Sequence, residues 1–157
     1  MATLQTVLEE IEQDLTVVLT TAWDTTTFGP LAKVYIGAPE EGTTAKDLPI
    51  VALSLTSVAP SDDEEGSFCS ESARLDYEIY LHALKPRGRT LESEKRQRAQ
   101  QLRTALKTAM AAGDIRHASQ VLWMGDTYRE EEDFQVAALS DAYVIRAKYQ
   151  MFVEWTD

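Results

Sequence analysis

The chain has 157 residues, 15 basic and 26 acidic side chains, and a formal net charge of −11 at pH 7. Such a length suits one domain with a single core, spanning residues 1–157. The charge disfavours nucleic acid and anionic membranes as attractive partners, and no apolar run approaches the roughly 20 residues that cross a bilayer.

MATLQTVLEEIEQDL lacks a basic region followed by an apolar one, so no secretory signal is expected. The spacing of Leu4, Val7, Leu8, Ile11, Leu15, Val18, Leu19 and Ala22 predicts a helix over residues 3–22 with one apolar stripe. Thr3 suits its N-cap, and Pro30 bars continuation past Gly29. Short strands are expected at Lys33–Ile36 and Leu48–Ser57, with Pro49 at a strand start or edge.

SVAPSDDEEGSFCSES follows, with four adjacent acids, Asp62, Asp63, Glu64 and Glu65. A calcium loop of the EF-hand type needs alternating acids before its glycine and a glutamate at position 12. With Gly66 at position 6, the first ligand is Ser61 and the twelfth is Ser72, so that reading fails. A solvated hairpin tip is the simpler local expectation, and the same holds for Glu130, Glu131, Glu132 and Asp133.

ESARLDYEIYLHAL alternates strictly. Ala73, Leu75, Tyr77, Ile79, Leu81 and Ala83 share one face, and Arg74, Asp76, Glu78, Tyr80 and His82 a wetter one. KPRGRT then turns into a second helix, from a Thr90 cap to about Ala112, with Gly113 as its C′ residue. Strand Val121–Met124 follows, and Asp141–Trp155 alternates again. The order predicts an α+β fold, a largely antiparallel sheet with two helices packed on one face.

Catalytic and metal motifs are poorly supported. His82 and His117 lie far apart, and a lone Cys69 makes neither an internal disulfide nor a zinc pair. A single cysteine fits a reducing cytoplasm. There is no G-x-S-x-G, Walker or G-x-G-x-x-G pattern. No catalytic residue, metal or cofactor is expected, and the chain is read as a non-enzyme. Of the tryptophans, Trp123 is read as core and Trp155 as the best interface candidate.

Charge is uneven. Lys85 to Lys107 holds eight basic and two acidic residues, whereas the remainder holds seven basic and 24 acidic. A solvated helix face is the plain reading. The alternative is a surface that meets the acidic surface of another copy, through Lys85, Arg87, Arg89, Lys95, Arg96, Arg98 and Arg103.

The whole pattern resembles the tail terminator (tail completion) proteins of long-tailed bacteriophages. The segments that carry it are TVLEEIEQDL, LPIVALSL and ARLDYEIYLHAL around a polar loop, EKRQRAQQLRTALKTAMAAG, and YVIRAKYQMFVEW. The resemblance implies a structural virion protein of the phage tail or neck, assembled in the host cytoplasm. It implies a homo-oligomer, a hexameric ring that caps the tail tube, ends its polymerisation and meets the head connector. DNA would pass through the lumen without specific binding. Asp62–Glu65 would line that lumen or an axial surface, repelling phosphates. Two other readings fit the same residues: a head-completion or stopper protein of the neck, and a small non-viral α+β binding domain.

Overall fold

A computed structural model describes residues 3–21, 31, 33–37, 48–59, 71–86, 88, 90–129 and 142–155. Two helices, α1 (Leu4–Thr21) and α2 (Leu91–Ala112), pack on one face of a five-stranded sheet. Its strands are β1 (Lys33–Ile36), β2 (Ile50–Ala59), β3 (Glu71–Leu84), β4 (Ala118–Arg129) and β5 (Ala142–Trp155), in spatial order β1-β2-β3-β5-β4. All pairings are antiparallel except β1 with β2. The fold is α+β, as the order of elements predicts.

α1 forms because its apolar residues fall on one stripe. Val7, Ile11, Leu15, Val18 and Leu19 are all buried. The Thr3 hydroxyl accepts a hydrogen bond from the Thr6 backbone N–H at 3.2 Å, as an N-cap should. Thr90 occupies the equivalent position before α2 with extended backbone, but its side chain makes no capping bond. At the other end, Gly113 is left-handed, with φ 72°. Its N–H reaches Met110 O and that of Asp114 reaches Ala109 O, a Schellman termination.

β3 and β5 form the spine, paired without interruption from Glu71↔Trp155 to Leu84↔Ala142. Each has 14 residues, so the ladder is roughly 45 Å long at ~3.3 Å per residue. Leu75, Ile79, Leu81, Tyr143, Ile145 and Val153 turn toward the helices and are essentially inaccessible. Truncating such a residue to alanine typically costs about 2–5 kcal/mol.

The opposite face departs from the expected wetness. Glu78, Tyr80 and His82 are 9 %, 7 % and 1 % exposed, where alternation predicts a wetter surface. The row through Ile50, His82 and Val144 is closed off, and Ala52, Tyr80 and Val144 form a second small cluster. Alternation separates two faces but does not say how much of the second is covered. β4 also begins three residues earlier than its apolar run suggests. Register shifts between Ala118 and Gln120 and between Trp123 and Gly125 break its alternation.

Candidate interaction surface

The acidic residues Asp62, Asp63, Glu64 and Glu65 lie outside the described residues, as do Arg87 and Arg89. The strands flanking them are informative nevertheless. Ala59 and Glu71 lie at the end of the ladder where Glu71 meets Trp155. Arg129 and Ala142 lie at the other end, where Leu84 meets Ala142. The two acidic connections, 60–70 and 130–141, therefore leave from opposite ends of the long ladder.

α2 does not present a uniform basic face. Lys95 is 4 % exposed and Arg98 5 %, so both belong to the body of the domain and not to a solvated face. The Arg98 Nη2 lies 2.7 Å from Glu94 Oε1, its Nε donates to the same oxygen at 2.9 Å, and its guanidinium stands over the Tyr143 ring. Tyr143 donates to Glu94 Oε1 at 3.4 Å, and burial pushes its hydroxyl pKa well up, with Glu94 adding to the shift against Arg98. Lys95 lies 3.4 Å from Glu92. Lys95 and Arg98 sit on the inward stripe with Glu94, Ala99 and Leu102. Long basic side chains can lie along an apolar stripe with their heads paired, which a count of apolar residues overlooks.

Arg96 and Lys107 remain exposed, while Lys85 is half-buried. Arg96 donates to the Glu92 carbonyl at 3.3 Å. Arg103 is the pivot of another small assembly. Its guanidinium stacks 4.7 Å from the Trp123 ring centre, and its Nε is 3.6 Å from Asp126 Oδ2. The Trp123 indole N–H donates to Asp126 Oδ1 at 2.9 Å.

Trp123, expected in the core, is half-exposed instead. It stands opposite Tyr149 on the helix-facing side of an outer strand. Among the described residues the sheet ends there, and α2 flanks the indole through Arg103. A groove of about 430 Å³ opens between α2 and β4, lined among others by Arg103, Leu106, Lys107, Met110, Trp123 and Tyr149. Trp155 is half-buried at the rim of the core. Runs of charge and apolar periodicity reveal neither the groove nor its Trp123 wall, because both arise where β4 becomes the sheet's edge.

The other face carries a different polar set. Arg146 binds Glu78 through Nε at 3.0 Å and through Nη2, and Tyr80 donates to the same carboxylate. Burial pushes the Glu78 carboxyl up. The bonds from Arg146 and Tyr80, with the charges of Arg146 and Lys148, outweigh it and hold the group below its usual range. Gln150 bonds Asp76 at 3.1 Å one step along. Each of these acids already has a protein partner, so they serve as cross-strand ties. Among the described residues, no three metal-ligating side chains converge.

No protein-family model and no curated protein matches the chain. Among solved structures, a chain of the virion of a native gene transfer agent particle is similar at 17 % identity and a TM-score of 0.45, over 95 % of this chain and 92 % of that one.

Proposed function

We propose that the protein is a structural virion component that forms a ring on the end of a phage tail tube and meets the head connector on its other side. In this reading it is not an enzyme. The observation that carries the proposal is the long, uninterrupted β3–β5 ladder with an acidic connection leaving from each end. This arrangement suits a subunit of a two-sided collar, which engages one partner below and another above. The order of elements on which the resemblance to tail terminators rests agrees with it.

The acidic connections suit a passage for DNA. Carboxylates repel phosphates, so DNA moving past them is not retained. The hexameric stoichiometry, the tail tube and connector as partners, and the virion location all belong to the same proposal. The experiment is native mass spectrometry with negative-stain imaging, with and without purified tail tubes. Rings of about six copies, or density at one tube end only, support the terminator reading. Binding to portal-bearing heads with no affinity for tubes would favour a neck stopper instead.

A further inference from the structure

We propose that the groove between α2 and β4 is the seat for a second copy of this chain, which places the acidic, outward side of its α1 there. This deepens the ring reading and rests on it only for the closure of successive contacts into a ring.

The first observation is the edge itself. On the outer strand β4, Trp123 faces the helix side opposite Tyr149 and Met124 follows it at the register shift, 50 % and 58 % exposed, while Leu122, 36 % exposed, stands opposite Gln150 on the other face. An exposed apolar stretch on a long outer strand invites pairing or adhesion unless something covers it. Beside it the groove combines an apolar floor with a basic rim, Arg103 and Lys107. An aromatic anchor next to cations is the chemistry of a protein contact centre.

The second observation is charge. The segment holding this rim is basic, but the rest of the chain carries 24 acidic residues against seven basic. The best-described acidic surface is α1, which has four acids and no basic residue. Two of the four are paired with basic groups within the chain, Glu10 with His117 at 2.6 Å and Asp14 with Arg116 at 3.0 Å, and Glu9 accepts a hydrogen bond from Gln5 at 2.8 Å. Glu9 and Glu12 form no ion pair among the described residues. Glu12 is half-buried, and burial and then the neighbouring Glu9 push its carboxyl pKa up, so the exposed Glu9 is the acid the contact would use. Glu9, Gln13 and Val17 follow at four-residue steps on the exposed side, and Val17 is 63 % exposed. An acid and an apolar residue on one stripe match a lysine and a tryptophan across the contact.

The third observation is placement. α1 packs against α2 and β1, and β1 is the outer strand opposite β4. The two surfaces thus belong to opposite flanks of the domain. A contact between unlike flanks is heterologous, the kind that propagates and closes into a ring when the rotation allows.

The test places the photoreactive amino acid benzoylphenylalanine at position 104 and, separately, at position 100 of the full chain, two exposed residues that line the groove. Each is irradiated alone and with tail tubes, beside native mass spectrometry. The expected result is a covalent dimer with the cross-link mapped to residues 4–21. Glu9→Lys and Lys107→Glu should each reduce the yield severalfold, and a chain carrying both should recover it, because every copy then presents the swapped pair. Rings that form without these cross-links, or cross-links from both positions to tube protein instead, would overturn the groove assignment and leave the ring reading standing. Covalent dimers to α1 without rings would support the groove and count against the ring. Neither cross-links nor oligomers would overturn both.

Discussion

Arg98 and Glu94 close a 2.7 Å ion pair inside the domain, with side chains only 6 % and 5 % exposed. A charged pair this deep holds together only as a pair. Arg98→Ala leaves the Glu94 carboxylate buried beside Tyr143 and should cost about 3–5 kcal/mol. The double change Arg98→Met with Glu94→Leu should cost much less, because no lone charge remains. Urea unfolding of the three chains measures this. An Arg98→Ala chain as stable as the parent would contradict the buried pair.

The outward tie of Arg146 to Glu78 predicts an acid-sensitive component of stability. The Glu78 pKa is lowered in the folded state, so its contribution is complete above the ordinary value of 4.5 and is lost as the pH falls through the folded pKa. Glu78→Gln should cost about 1–3 kcal/mol at pH 7 and give a shallower decline below pH 4.5. Thermal unfolding across pH, parent against variant, gives the comparison. Parallel curves would mean that the tie contributes nothing.

Gly113 ends α2 in the left-handed region, and a Cβ built there meets nothing within 4 Å. The penalty of Gly113→Ala is therefore conformational, about 1 kcal/mol, with no packing clash. Gly113→Asn should recover part of it, since asparagine tolerates this conformation. Equal stabilities for all three chains would rule out a left-handed cap.

Trp123 should divide folding from assembly. Its stacking on Arg103 contributes about 0.5–1 kcal/mol and its hydrogen bond to the enclosed Asp126 carboxylate about 1.5–3 kcal/mol to the folded chain. Trp123→Ala should thus fold with reduced stability and, at temperatures where it is fully folded, lose most of its self-association in sedimentation experiments. A variant that associates normally would remove Trp123 from the contact.

Much of this architecture is legible in the amino-acid sequence alone. The stripe from Val7 to Leu19, the alternations ending at Leu84 and Trp155, and the Gly113 stop each follow from a local rule, and each element lies where its rule puts it. What local rules cannot supply is the neighbour. His82 alternates like a wet residue but is enclosed between β2 and β5, a fact of sheet order. Trp123 reads as core because tryptophan usually is, yet it is at the sheet's edge. Lys95 and Arg98 read as surface by charge, although their spacing from Ala99 and Leu102 places them on the inward stripe. The Glu94–Arg98 spacing of four is the available signal, and its meaning depends on Tyr143, 45 residues beyond Arg98. The site is therefore less legible than the fold, because it forms where α2 and the edge of β4 meet.

The most direct test of the central claim is negative-stain imaging of purified tail tubes after addition of the chain. A terminator should give ring-shaped density at one end of each tube and leave bare walls along its length. Tubes that stay undecorated at both ends, at concentrations where the chain alone remains monomeric, would contradict the claim.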